Sequence, residues 1–198
     1  MTIFNEEKKT DEKQNTDPML EKFLETRQIL LSDEINKDLA EKVIKNFLIL
    51  EAMSKTKPIY LYINSPGGDV DAGFAIFDII RFIQPKVISI GTGLIASAAA
   101  FILLATKKEN RFGLPNSRYL IHQPLSKMQG VATDIEIHAQ EIEKAKNAIN
   151  KVIADETGTP LKKVASDTDR DYWLDAEEAC KYGLISKVIT SRKDLPKV

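Results

Sequence analysis

Between residues 58 and 124 the chain alternates two kinds of apolar segment, and this alternation limits its fold more than any other feature. PIYLYIN (58–64) is rich in β-branched and aromatic residues, as a buried strand requires. SPGG (65–68) breaks it. Asp69 is placed to cap the next segment, VDAGFAIFDIIRFI, which is too long for a strand and mostly apolar, hence a buried helix. Gln84-Pro85 ends that helix. KVISIGTG (86–93) predicts a second strand, residues 95–106 a second buried helix, and SRYLIHQP (117–124) a third strand entered from the turn LPN. Strand, helix, strand, helix, strand in this order gives parallel pairing with right-handed crossovers, so the class is α/β.

The flanks are different in kind. Residues 1–17 are polar and read as a solvated, flexible arm without the apolar core of a secretory signal. Residues 19–31 lead into a single domain expected over 18–190, and 191–198 form a tail. Leu39, Val43, Ile44, Phe47, Leu48 and Leu50 fall at helical spacing within 36–52. Residues 131–155 make a long charged helix in which Thr133 and Glu136 fit a capping box. Ile135, Ile142 and Ile149 fall seven apart, with Ala145 and Val152 in the other register. So narrow a seam suits either a partner helix or the surface of its own domain. A short helix, a stop at Gly183 and a small apolar strand close the chain.

Charge excludes some functions. Lys and Arg number 28 against 29 Asp and Glu, a formal net charge of −1, which removes the electrostatic case for nucleic acid. Cys180 is the only cysteine, so no internal disulfide forms and a reducing, cytoplasmic setting is expected. No apolar run is long enough to span a membrane.

One hydroxyl stands out. In GTGLIASAAAF (91–101), Ser97 interrupts a run of alanines and larger apolar residues. An unpaired hydroxyl in such a setting costs roughly 1–3 kcal/mol. Ser97 therefore either bonds back to its own helix or faces a cavity and does chemistry. It sits near a helix start, after a strand, where free N–H groups carry partial positive charge. A serine there can attack a carbonyl while the Ala98 amide stabilises the oxyanion, and Gly68, at the same sheet edge, can give a second amide. Of two histidines, His122 ends the third strand and points to that edge, whereas His138 lies among charges on the long helix. His122 is the better general base. SDTDRDYW offers Asp167, Asp169 and Asp171 as the orienting acid, and composition does not choose among them; Asp171, beside Tyr172 and Trp173, is the one placed for partial burial. No G-x-S-x-G elbow surrounds Ser97, which weakens an α/β-hydrolase reading.

IYLYINSPGGDVDAG, GLIASAAAF, RFGLPNSRYLIHQP, ATDIEIHAQEI and DTDRDYWLDAEEACKYGLI, in this order and spacing, resemble the proteolytic subunit of the Clp protease over about residues 28–190. The resemblance implies a crotonase-like ββα spiral with a protruding handle helix at about 131–155. It implies a serine endopeptidase with Ser97 as nucleophile, His122 as base, Asp171 as orienting acid, and the Gly68 and Ala98 amides as oxyanion hole. It further implies stacked seven-membered rings joined by the handles and by Asp169 and Arg170. A hexameric Clp-family ATPase would dock on clefts involving Tyr60, Tyr62, Phe82 and Phe112 and deliver unfolded polypeptides. No cofactor or metal is implied, and the chain has no P-loop pattern, so ATP belongs to the partner.

Two departures from the family's pattern bear on function. Ala98 and Ala99 stand where the family usually has Met and then Gly or Ala, which changes the wall of the substrate pocket but not a backbone donor. The segment before Glu25 is polar, with Ile3, Phe4, Met19 and Leu20 as its candidates for an apolar anchor. Such divergence suits a second paralogue in a mixed complex. Two other readings follow: a mainly structural subunit that needs a paralogue ring, and an acyl-CoA enzyme of the crotonase fold, against which the serine–histidine–aspartate set and the handle argue.

Overall fold

The computed structural model describes residues 18–196; the expected arm at 1–17 and the last two residues of the tail lie outside them. Helix α1 (Pro18–Glu25) leads into β1 (Gln28–Leu31), α2 (Lys37–Met53), β2 (Ile59–Ser65), α3 (Val70–Phe82), β3 (Val87–Ala96) and α4 (Ala98–Leu103). There follow β4 (Arg111–Gly113), β5 (Arg118–Ile121), α5 (Ala132–Thr157), α6 (Leu161–Asp167), β6 (Tyr172–Leu174), α7 (Ala176–Tyr182) and β7 (Lys187–Val188).

The sheet runs β1-β2-β3-β4-β7, all parallel, as the strand–helix alternation requires. Besides β2, long β3 serves two further neighbours: residues 89–91 pair with β4, and residues 94–96 pair with β5. Strand β6 adds the one antiparallel pair among the described residues, to β5.

Alternation along β2 sorts its side chains by face. Ile59, Leu61 and Ile63 point into the main core beneath α2, α3 and α4. Tyr60 and Tyr62 lie on the other face, packed against Ile88, Ile90, Phe112 and Ile189. Phe74 stacks on Phe101 at 4.8 Å, locking α3 to α4.

Asp69 caps α3 as its place in the sequence suggests, and Asn36 supplies a second cap at the start of α2. Asn36 accepts from the Leu39 N–H and Asp69 from the Ala72 N–H, each worth about 1 kcal/mol. Two expectations fail. The segment after the second strand is not a helix over 95–106, because β3 continues to Ala96 to pair with β5 and α4 has only six residues. The capping box at Thr133 does not form either: α5 starts at Ala132, so Thr133 is already inside it and Val131 takes the cap position without a side-chain bond.

Candidate active site

The site lies where β2, β3 and β5 end. Past β2, Gly67 and Gly68 hold φ of 92° and 147°, a region that favours glycine. A Cβ on Gly68 would fall 2.2 Å from the Ile35 carbonyl oxygen, and one on Gly67 would fall 2.6 Å from Cβ of Ser97. The two glycines thus let this turn press against both the Ile35 segment and the Ser97 turn. Ile35 pins the turn by donating to Gly67 O (2.7 Å) and accepting from Asp69 N–H (2.8 Å).

Ser97 is the single residue between β3 and α4, with φ 56° and ψ −121°. That conformation costs a non-glycine residue about 1–3 kcal/mol and persists only when its surroundings enforce it. Here they do: Ser97 N–H donates to Leu120 O at 2.9 Å, and Ser97 O accepts from Ala100 N–H at 2.9 Å. A sharp strand-to-helix turn therefore forms without flanking glycines, because Gly67 supplies the clearance across the gap. Its hydroxyl makes no capping bond to its own helix. It faces a small cleft lined also by His122, Val70, Phe101, Ile149 and Ile153. Among the described residues, the N–H groups of Gly68 and Ala98 donate to no other protein group.

His122 follows β5, with its side chain 13% exposed. Its Nδ1 lies 3.0 Å from Oδ1 of Asp171. A carboxylate only accepts, so this bond places the proton on Nδ1 and leaves the Nε2 lone pair free. Partial burial of Asp171 is not observed: its side chain is 62% exposed, because it precedes the edge strand β6 at the rim of the sheet.

The other carboxylates of that stretch go elsewhere. Asp167 binds Lys163 and the Tyr182 hydroxyl (2.9 Å), and burial together with this carboxylate pushes the Tyr182 phenol well up. Asp169 and Arg170 are both exposed. His138 is 2.7 Å from Ser126 Oγ, away from the cleft. Sequence reasoning missed Gln123, Thr168 and Asn150. Gln123 N–H donates to Thr168 O (2.6 Å) and its side chain to Asp169 O (2.6 Å). Buried Thr168 meets buried Asn150 of α5 at 2.8 Å. Asn150, directly after Ile149 of the α5 seam, was the one available signal.

Tyr60, Tyr62 and Phe112 share the outer face of the sheet. Arg192 donates to the Tyr62 hydroxyl beside them. Phe82 ends α3, 79% exposed, and is not part of that cluster. Among the described residues no group of His, Cys, Asp or Glu could hold a metal, and no helix is long and apolar enough to cross a membrane.

The profile of the family described as Clp protease matches residues 10–192. The chain belongs to the Clp protease family. It is 63% identical to the ATP-dependent Clp protease proteolytic subunit 2 of Treponema denticola over 97% of its length and 96% of the relative's. It is 49% identical to the proteolytic subunit 3 of Rhizobium etli, covering 87% of this chain and 89% of that one. A solved structure of a mutant ClpP1 from Listeria monocytogenes superposes with a TM-score of 0.83 at 46% identity, covering 88% of this chain and 98% of that one. The fold is thus that of ClpP, the mixed α/β spiral with a handle helix. As a member of the Clp protease family at this level of identity, the chain is a hydrolase of the protease class.

Proposed function

We propose that the chain is a self-compartmentalising serine endopeptidase that works through Ser97, His122 and Asp171. The observation that carries this reading is the 3.0 Å bond from His122 to Asp171, in a cleft that His122 shares with a strained serine. In the reaction, Ser97 Oγ attacks the peptide carbonyl and His122 Nε2 takes its proton. The Gly68 and Ala98 N–H groups receive the oxyanion. The imidazolium, held by Asp171, returns the proton to the leaving amine, which departs with the C-terminal fragment. Water, deprotonated by the same imidazole, then releases the acyl group and restores Ser97.

The same reading extends to assembly. Handle helices and the Asp169–Arg170 pair join two heptameric rings, so the sites face a closed chamber. A Clp-family hexameric ATPase docks on clefts that combine Tyr60, Tyr62 and Phe112 of one subunit with Phe82 of its neighbour; the separation of Phe82 from the other three within one protomer supports a cleft shared in this way. A second reading, a subunit that needs a paralogue ring for activity, draws on the 62% exposure of Asp171, since the protomer alone does not enclose its acid.

Labelling with a fluorophosphonate, with and without a candidate paralogue and read beside native mass, tests both. Ser97→Ala should abolish labelling and peptide hydrolysis while the assembly persists. His122→Ala should lower hydrolysis by about 10³-fold or more, and His138→Ala far less. Full labelling of Ser97→Ala would overturn the assignment; labelling of the wild type only with the paralogue present would favour the second reading.

A further inference from the structure

Asp171 presents a puzzle of placement. A carboxylate that orients a catalytic imidazole must be held within about 0.5 Å of its productive place, yet this one is mostly in solvent and is not fixed by packing. Its position has to come from the backbone on either side. On the C-terminal side, the antiparallel ladder pairs Ile121 with Tyr172, Leu120 with Trp173 and Tyr119 with Leu174. His122 and Asp171 are the next opposed pair beyond that ladder. On the N-terminal side the ladder has stopped, and something else must hold the chain.

That something is built around Thr168, which is fully buried. Its carbonyl accepts from Gln123 N–H at 2.6 Å, and the next carbonyl, of Asp169, accepts from the Gln123 side chain at 2.6 Å. Its hydroxyl lies 2.8 Å from the side-chain amide of Asn150 and 2.9 Å from Val164 O. Asn150 is itself buried, on α5. Two consecutive carbonyls are thus clamped by the residue after the base, and the clamp is tied by a buried polar bond to the helix that carries the unpartnered seam. Ladder and clamp bracket the His122–Asp171 pair between them.

We propose that Thr168, held by Asn150 and gripped by Gln123, is the positioning residue for Asp171, so that the base of α5 sets the geometry of the acid. The inference rests on the triad reading above. It gives the handle a route to the catalytic pair inside one protomer, separate from any contact that Asp169 and Arg170 make between rings. None of the three residues touches the reacting atoms; each acts through the place it gives Asp171.

The experiment is steady-state peptide hydrolysis on the assembled protein, with active sites titrated by a fluorophosphonate and native mass recorded on the same samples. Thr168→Val keeps the shape and removes the hydroxyl. Its kcat should fall about 10- to 100-fold with KM unchanged within about twofold, as expected for a displaced catalytic group with an intact binding cleft. Thr168→Ser, which restores the hydroxyl, should recover most of the loss. Gln123→Ala, which removes the bond to Asp169 O from a partly exposed position, should show the same split to a smaller degree and remains informative if Thr168→Val does not fold. Wild-type kcat in Gln123→Ala together with wild-type kcat in any folded Thr168→Val, or a loss that Thr168→Ser does not recover, would overturn the proposal. Failure of the triad reading is distinguishable, because it would show first as labelling that survives in Ser97→Ala.

Discussion

The two ends of α5 follow different rules although they share one sequence pattern. Along the seam, Ile135 is exposed, Ile142 half-buried and Ile149 buried. From Ile149 to the end, the helix is part of the main core: Ile149, Asn150, Ile153 and Thr157 are all buried. Toward its start, Ile135 and Ile137 stand in solvent, and so do Leu125, Met128 and Val131 in the segment that leads to it. An apolar period therefore tells which side of a helix seeks cover but not who provides it. Here the domain covers only the last third, and the rest is left with apolar surface that a second chain would have to bury.

The base also holds a charge network, in which Glu156 of α5 bridges Arg81 and Arg111. Arg111 is completely buried, and it is bonded through Nη2 alone, to Glu156 O (3.0 Å) and Glu156 Oε2 (3.2 Å). The other Glu156 oxygen binds Arg81 of α3. Burial lowers the Arg111 pKa and Glu156 opposes that shift. Replacing Glu156 by Ala strands a buried cation, so the largest loss is expected here, about 3–5 kcal/mol of unfolding free energy. Adding Arg111→Met should recover part of it, because removing both charges also removes the desolvation cost. Denaturant unfolding of the single and double variants checks this. A Glu156→Ala protein as stable as the wild type would mean that the base is held by apolar packing alone.

Matched isoleucines sharpen the contrast between the ends. Ile153→Ala, in the core, should cost about 2–5 kcal/mol. Ile137→Ala, at the exposed end, should stay within about 0.5 kcal/mol for the protomer. The order should invert when native mass is read instead: Ile137→Ala should weaken the assembly at low concentration, where Ile153→Ala should not beyond its effect on folding. Equal effects on both readouts would erase the distinction between the two ends.

How much of this was legible beforehand depends on what the residues answer to. The parallel sheet, α2, α3 and the cap Asp69 were legible because each follows from local pattern and local bonding. So was the meeting of Ser97 with His122 at one sheet edge, which is a consequence of strand order. The extension of β3 to Ala96 was not, because it is enforced by pairing with β5, a partner more than twenty residues away. Nor was the exposure of Asp171, since neighbouring aromatics do not reveal which strand lies at the edge; Tyr172 turns partly inward while Trp173 stays outside beneath Arg118. Gln123, Thr168 and Asn150 form a cluster only through contacts between distant segments, and no motif records them.

The smallest effects concern the caps, and they bear on the same helix. Thr133 and Glu136 have the spacing of a capping box, but α5 begins one residue before Thr133, so the hydroxyl has no free end to cap. A working capping box is instead that of Asp175 with Glu178 at the start of α7, where Asp175 accepts from Glu178 N–H at 2.8 Å and Glu178 accepts from Asp175 N–H at 2.9 Å. A short helix packed on the core through Ala176 and Ala179 leans on such a cap. Asp175→Ala should therefore lower stability by about 1 kcal/mol, and Thr133→Ala should leave it unchanged within about 0.5 kcal/mol, both read from denaturant midpoints. The physical reason for the difference is that an N-cap stabilises only when its oxygen meets N–H groups that no helix bond has claimed. If Thr133→Ala proved as costly as Asp175→Ala, the exposed end of α5 would have to begin at Thr133 in solution, and the length of the unpartnered helix would shrink accordingly.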